Sequence, residues 1–346
     1  MLIIATIGRS ASNSAPSMVR AGADILRFNG TRSEISHTVS QISLTHAELR
    51  RAGLTSPIFV DIGSGKLRLG ELKHGGRQIF KDEVHDFCCS ERGEVFDGII
   101  SIRALSLPGI AAGDTLIIGD GELAFKVIDV VDARCFRAKA LNNGAVGSTR
   151  GVTIAGKPLH CCAMGESMET QLAAIAPLRP EWVGISFSEK REQVQEVSDY
   201  IKNLNSEWRP KIAVKIESYL GICNARDLAN CADMVIIARG DLAINTPFHL
   251  IGIYQDHLID ICRTERKRVV VATEIFGNSI ERYIPHRSGI TEITRLMSNG
   301  SGILFGSETS GGSSRAIAVT RSIEAEFGEL EMQGRHRLLI PRLPNQ

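Results

Sequence analysis

Residues 211–241 read KIAVKIESYLGICNARDLANCADMVIIARGD. Two short apolar runs, Lys211–Ile216 and Met234–Ala238, are built from Ile, Val and Ala and bracket a helix-like stretch at about 220–230. The two strands are expected to be neighbours. Each run ends in charge, the first in Lys215-Ile216-Glu217 and the second in Arg239-Gly240-Asp241.

The same alternation extends outward in both directions. Further strands are expected at Leu2–Ile7, Asp24–Phe28, Pro57–Ile62, Trp182–Phe187, Arg268–Thr273 and Gly302–Phe305. Helices are expected from near Pro16, over Ser33–Ala52 and Lys190–Leu204, and over about 249–266, 287–298 and 313–327. About eight strands, each followed by a helix, are the signature of an α/β chain folded as a (β/α)8 TIM barrel. An open doubly wound sheet is the alternative, but no G-x-G-x-x-G follows the first strand. Between Gly63 and about Gly156 the pattern changes. Short runs at Leu67–Leu72, Ile99–Ile102, Thr115–Ile118, Leu123–Val131 and Cys135–Ala140 are separated by turn signals such as Gly119-Asp120-Gly121 and Asn142-Asn143-Gly144. This predicts a β-rich barrel or sandwich inserted after strand three. The expected division is a barrel over 1–63 and 157–330, a β-rich domain over 64–156, and a tail over 331–346 that carries Arg335, Arg337 and Arg342.

Composition narrows the function. Apolar residues are 43% and charged residues 23% of the chain, as in ordinary globular proteins. Basic and acidic residues number 40 and 39, a net charge of +1, so no basic field points to nucleic acid. No stretch is apolar enough to span a membrane, and MLIIATIGRS lacks the basic start of a signal peptide. A cytoplasmic location is expected. The eight cysteines include the pairs Cys88-Cys89 and Cys161-Cys162 but no C-x-x-C. Reduced structural thiols are the expectation.

In such a barrel the active site forms at the C-terminal ends of the strands. Those ends read Thr6-Ile7-Gly8, Arg27-Phe28-Asn29, Asp61, Ser186-Phe187, Lys215-Ile216-Glu217, Arg239-Gly240-Asp241, Thr273-Glu274 and Ser307-Glu308-Thr309. One polar strand end is commonplace; polar ends on nearly every strand are not. Glu217 and Asp241 on neighbouring strands repel unless a cation lies between them or one holds a proton. Mg²⁺ takes one or two protein carboxylates and completes its shell with water and substrate oxygens. Lys215, two residues before Glu217, points to the same side of its strand, where an ammonium can meet a phosphate or a developing oxyanion. Arg27 and Arg68 add guanidinium forks suited to phosphate. Together these groups point to a polyanionic substrate. A purely structural Lys–Glu–Asp network is the plain alternative. Gly63-Ser64-Gly65-Lys66 is not a P-loop, because Val60 and Leu67 stand where Gly and Ser or Thr are needed. No pair among the nine histidines has metal-ligand spacing.

Taken together, these motifs resemble the pyruvate kinase family over about residues 1–328. The matching strings are Thr6-Ile7-Gly8 with Ala11-Ser12, Leu26-Arg27-Phe28-Asn29, Asp61 with Arg68, Lys215-Ile216-Glu217, Ala238-Arg239-Gly240-Asp241-Leu242, Ala272-Thr273 and Ser307-Glu308-Thr309. The resemblance implies a transferase moving phosphate from phosphoenolpyruvate to a nucleoside diphosphate such as ADP, with the β-rich insertion as a lid. It implies that Glu217 and Asp241 hold Mg²⁺ or Mn²⁺. Lys215 would stabilise the enolate and the transferring phosphoryl group, and Arg27 would bind the phosphate. Gly240 would help bind the substrate, and Thr273 would stand beside the pyruvate methylene. Arg27, Arg32, Arg68 and Arg150 would serve the nucleotide. Asn29, Thr31 and Asp61 retain an oxygen set suited to K⁺, yet Lys66 could supply that charge itself, so K⁺ is not expected to be required. A homo-oligomer built through the barrel fits the resemblance.

There are departures. Arg9 replaces a usual Pro and Arg32 a usual His. An acidic pair is reduced to Gly119-Asp120, and paired lysines become Thr149-Arg150. Glu274-Ile275-Phe276-Gly277 follows Thr273 in place of the family's Gln-Met-Leu-Glu. The donor half is intact while the nucleotide half is altered. The sequence stops soon after the barrel, without the family's effector domain, so control by sugar phosphates is not expected. Two other readings stay open: a metal-dependent lyase acting on an enolpyruvate, of the aldolase or oxaloacetate decarboxylase type, and a non-catalytic relative.

Overall fold

The computed structural model describes residues 1–8, 15–31, 34–63, 66–94, 97–107, 109–157, 164–204, 207–277, 280, 282–306 and 313–332. Ala11-Ser12, Arg32, Cys161-Cys162, Ser307-Glu308-Thr309 and residues 333–346 lie outside them. The chain begins with β1 (Ile3–Thr6), α1 (Ala15–Arg20), β2 (Ile25–Asn29), α2 (Ile35–Arg51) and β3 (Ile58–Ile62). A run of strands follows: β4 (Gly76–Ile79), β5 (Val84–Ser90), β6 (Ile99–Arg103), β7 (Thr115–Ile118), β8 (Leu123–Val130), β9 (Cys135–Ala140), β10 (Gly144–Gly147) and β11 (Val152–Ile154). Alternation returns with α3 (Glu166–Ile175), β12 (Trp182–Ile185), α4 (Arg191–Leu204), β13 (Lys211–Ile216), α5 (Tyr219–Cys223), α6 (Ala225–Cys231) and β14 (Met234–Ala238). The last elements are α7 (Arg239–Asn245), α8 (Ile251–Thr264), β15 (Arg268–Ala272), α9 (Arg287–Ser298), β16 (Gly302–Phe305) and α10 (Ser313–Met332).

Eight parallel strands close into a barrel in the order β1-β16-β15-β14-β13-β12-β3-β2. Both strand faces are buried, which is why the sequence shows continuous apolar runs rather than alternation. Ile4, Ile25, Phe59, Trp182, Ala213, Ile236, Val270 and Leu304 fill the barrel interior. Their neighbours Ile3, Leu26, Val60, Val183, Val214, Val235, Val271 and Ile303 pack outward into the larger core shared with the helices. The inserted segment has a core of its own, with Phe87, Phe125, Phe136, Ile102 and Val152 at its centre. It carries a six-stranded sheet, β11-β7-β8-β9-β5-β6, and the two-stranded sheet β10-β4.

Several sequence expectations need correcting. Leu67–Leu72 is not a strand: only the isolated bridges Arg68↔Gly151 and Leu69↔Ile102 form there. β4, β5 and β10 were not evident, because Gly, charged residues and partial exposure hide their pattern; β11, buried throughout, is only three residues long. The helix expected at about 220–230 is two helices meeting at Asn224. α10 continues to Met332, into the expected tail. Cys88 and Cys135 are disulfide-bonded rather than reduced. They stand directly opposite each other on antiparallel β5 and β9, 4.3 Å apart at Cα, so the ladder register itself brings the sulfurs together. The other described cysteines, Cys89, Cys223, Cys231 and Cys262, are free.

Candidate active site

Side chains alternate along a strand, so residues two positions beyond the interior layer also face inward. Thr6 follows Ile4, Arg27 follows Ile25, Asp61 follows Phe59, and Lys215 follows Ala213. Thus the apolar plug ends and a polar layer begins at one level of the barrel, with Glu217 a step above. The layer is tightly paired. Arg27 donates from Nε to Asp61 Oδ2 at 2.8 Å, from Nη2 to the same oxygen, and from Nη1 to Thr6 Oγ1 at 2.9 Å. Lys215 Nζ lies 2.8 Å from Glu217 Oε1 and 3.4 Å from Asp61 Oδ2, and donates to Ser186 Oγ at 3.2 Å. Phe187 has a left-handed backbone with φ 50° and donates its N–H to Glu217 Oε2 at 2.9 Å. Gly184 makes the layer possible: a Cβ there would meet Phe59 Cζ at 2.4 Å and Asp61 Oδ1 at 2.6 Å.

The electrostatics follow from burial and pairing. Burial alone would raise the Asp61 carboxyl, but Arg27 and Lys215 outweigh it and hold it below its ordinary value. Burial alone would lower Lys215, but Asp61 and Glu217 outweigh it and hold it above. Glu217 moves the other way. Its burial raises it, Lys215 opposes, and the Asp241 charge adds to the rise. Glu217 and Asp241 therefore face each other as like charges, which a cation between them would relieve.

Above this layer opens a cavity of about 670 Å³, lined by both the barrel mouth and the inserted β unit. Among the expected site residues, Arg27, Asn29, Thr31, Lys66, Arg68, Arg150, Lys215, Glu217, Gly240, Asp241 and Thr273 all line it. Asp61 does not; it sits beneath, as counter-charge to Arg27 and Lys215. Asn29 Oδ1 instead accepts from Thr31, from N–H at 3.2 Å and from Oγ1 at 2.8 Å. Asp241 lies in the first turn of α7 rather than at a strand end. Lys66 Nζ pairs with Asp241 Oδ1 at 2.6 Å, and its stem runs along Gly151 of the β unit. On the far wall Arg68 donates to the Thr149 carbonyl at 3.2 Å, and Arg150 pairs with Glu122.

Three contributors were missed or left without a role. Ser186 was visible only as a polar strand end. Gln171, buried on α3, holds both backbone groups of Gly63 through its amide, at 3.0 and 3.1 Å; nothing in the sequence marks it. Glu122, the partner of Arg150, was not singled out between the Gly119-Asp120-Gly121 turn and the Leu123 strand. Among the described residues no group of three or more His, Cys, Asp or Glu could hold a metal unaided. The donor set that fits a cation is the Glu217/Asp241 pair, an arrangement suited to Mg²⁺ when substrate oxygens and water complete its shell.

A family model described as "Pyruvate kinase, barrel domain" matches residues 1–319. The chain belongs to the pyruvate kinase family. It is thus a pyruvate kinase-like phosphotransferase. It is 25% identical over 351 residues to a pyruvate kinase from Clostridium perfringens, covering 99% of this chain and 73% of that protein. A pyruvate kinase from Agrobacterium vitis is 26% identical over 330 residues, covering 92% and 65%. The crystal structure of a pyruvate kinase from Cryptosporidium parvum superposes with a TM-score of 0.79 at 22% identity, over 93% of this chain and 68% of the other; that likeness speaks to the fold. Against pyruvate kinases, then, the chain spans about two thirds to three quarters of the length of these relatives. No helix among the described residues is long and apolar enough to cross a membrane.

Proposed function

We propose that the chain transfers the phosphoryl group of phosphoenolpyruvate to a nucleoside diphosphate, ADP in the first instance, giving pyruvate and the triphosphate in the cytoplasm. The observation that carries this reading is the paired layer Arg27–Asp61–Lys215–Glu217 under a cavity that also gathers Lys66, Arg68 and Arg150 with the carboxylate of Asp241. Phosphoryl transfer asks little covalent work of a protein; positioning and electrostatics do most of it. Lys215, fixed by Asp61, Glu217 and Ser186, keeps its charge at the base of the cavity, where the enolate and the transferring phosphoryl group develop negative charge. Arg27, held by Asp61 and Thr6, presents its fork to the phosphate. Gly240 and Asp241, which line the cavity in the first turn of α7, would help bind the substrate. Thr273 supports proton delivery to the methylene carbon.

Glu217 and Asp241 would hold Mg²⁺ or Mn²⁺, which when bound supplies Lewis-acid charge to the substrate oxygens. Arg68 and Arg150, with Arg32, would serve the diphosphate under the β unit acting as lid. Lys66 already places an ammonium in the cavity, so K⁺ is not required. Initial rates titrated with K⁺ at constant ionic strength test this: a flat response is expected, and strong activation by K⁺ overturns it. A homo-oligomer through the barrel completes the proposal.

The deciding experiment incubates the protein with phosphoenolpyruvate, Mg²⁺ and a panel of nucleoside diphosphates, followed by NMR. Pyruvate and triphosphate in equal amounts support the reading. Pyruvate with an equal amount of inorganic phosphate and no triphosphate means that water takes the phosphoryl group, and overturns the kinase reading.

A further inference from the structure

Arg239 opens α7, next to Gly240, and no step proposed above uses it. Its largely buried guanidinium reaches sideways to the exit of β15. Nε donates to the Ala272 carbonyl at 3.2 Å and Nη2 to the Thr273 carbonyl at 2.5 Å. Nη1 donates to Glu292 Oε1 at 2.7 Å, on α9, and to Gln255 Oε1 at 3.2 Å, on α8. Gln255 Nε2 donates to the same Glu292 oxygen at 3.3 Å. One fork thus ties a strand exit to two helices of the outer ring.

The backbone it grips is strained. Thr273 has φ 78° and Glu274 φ 54°. Two consecutive non-glycine residues in the left-handed region, the first β-branched, persist only where the surroundings over-determine them. The strain has a visible product. The Thr273 side chain lies over Gly240, where a Cβ would meet Cγ2 at 3.2 Å and Oγ1 at 3.5 Å, and both residues line the cavity.

We propose that Arg239, with Glu292 as its counter-charge, is a positioning residue that holds the Thr273 hydroxyl at the reacting end of the cavity. This rests on the function proposed above, and it concerns residues outside the donor and metal sets. Arg239 is not among the residues that line the cavity; it acts by fixing the Ala272 and Thr273 carbonyls, one before and one after the Thr273 Cα. Lysine in its place keeps the charge but cannot span these four acceptors with one planar fork.

Arg239→Lys should lower kcat by about 10²-fold, the scale of an ångström of misplacement, while KM for phosphoenolpyruvate and for the diphosphate stays near the parent value. In a Thr273→Ala background the same substitution should cost almost nothing more, because a residue acting through Thr273 has nothing left to position. Glu292→Gln should move kcat in the same direction by a smaller factor, and it covers the case in which the arginine variant folds poorly. Full additivity in an active parent, or equal changes in kcat and KM, reduces Arg239 to a structural staple and overturns the proposal. Amide exchange gives a readout that needs no turnover: Thr273–Glu274 should exchange faster in Arg239→Lys while β13 and β14 are unchanged. If the parent itself transfers no phosphate, the proposed function fails, and this exchange then decides the clamp by itself. Unchanged exchange overturns it.

Discussion

The two walls of the cavity are built differently. On the barrel wall, Arg27, Asp61, Lys215 and Glu217 are buried, share oxygens and hold one another at hydrogen-bond distance. On the β-unit wall, Arg150 and Glu122 form a pair 40% and 50% exposed at their side chains, and Arg68 leans on a backbone carbonyl. A group in the first wall cannot change without stranding a partner in low dielectric. A group in the second can change at little cost to the fold. The matching strings at Arg27, Asp61, Lys215 and Glu217 fall on the first wall, and the departures Gly119-Asp120 and Thr149-Arg150 fall on the second, although Arg68, a match, is on the second wall and the altered Glu274–Gly277 follows a barrel strand. The contrast explains how one half of a site can drift while the other stands.

The contrast can be broken most directly at Lys215. Lys215→Met should cost on the order of 10³-fold or more in kcat with the fold retained, since it removes a preorganised charge from the point where negative charge develops. A loss under tenfold in a well-folded variant would mean that the barrel wall is structural only. Next comes Asp61→Asn, which leaves Arg27 and Lys215 buried without their shared counter-charge. Urea unfolding at neutral pH should show a loss of about 3 kcal/mol. The pH dependence has a definite sign. Because Asp61 is held below its ordinary value of 3.8, its contribution is present in full above that value and drains away as pH falls through the folded-state pKa. The asparagine variant should lose that acid limb; an unchanged slope of unfolding free energy with pH would contradict the pairing. Glu217 has the opposite sign, being raised by burial and by Asp241, so Mg²⁺ should stabilise the protein more as pH rises.

Effects on the other wall should be smaller. Arg150→Met is expected to raise KM for the diphosphate about tenfold, one charge-assisted contact, and to leave KM for phosphoenolpyruvate alone. Steady-state kinetics in both substrates check this, and an equal rise in both erases the distinction between the walls. Glu122→Gln is the mildest. It frees Arg150 from an exposed pair worth under about 1 kcal/mol, so affinity for the diphosphate should improve by less than fivefold, readable by calorimetry. A weaker affinity would show that Glu122 itself serves the acceptor.

How much was legible in the sequence tracks the same physics. Barrel strands such as Lys211–Ile216 and Met234–Ala238 stood out because burial on both faces leaves uninterrupted Ile, Val and Ala. Their polar ends stood out because a strand gives charge nowhere to go except its end. β4 and β10 were invisible, since half-exposed strands rich in Gly, Arg and Gln resemble loops. The Cys88–Cys135 bond depended on a register between β5 and β9 that no local pattern encodes. Arg239 was quoted in a motif, yet its grip on Thr273 spans two strands and two helices, and only tertiary contact reveals it. Lys66 was expected near the phosphate side; its partner, Asp241, lies 175 residues away in the chain.

The inserted β unit also bears on how the chain reaches its native state. Val60 on β3 pairs with Val183 on β12, and closing so long a loop carries a logarithmic entropic cost of about 4 kcal/mol. The first and last segments of the β unit touch at the bridge Arg68↔Gly151, and the unit has a core separate from the barrel's. Collapsed early, it would bring Ile62 and the approach to β12 close together and shorten the gap the barrel must bridge. The unit would then act as a splint during folding, before any substrate is met. Trp182 and Trp208 are both buried in the barrel, so their fluorescence reports barrel closure alone. Phe125→Ala, confined to the β unit's core, should slow that signal in refolding; an unchanged rate would show that the barrel closes without help.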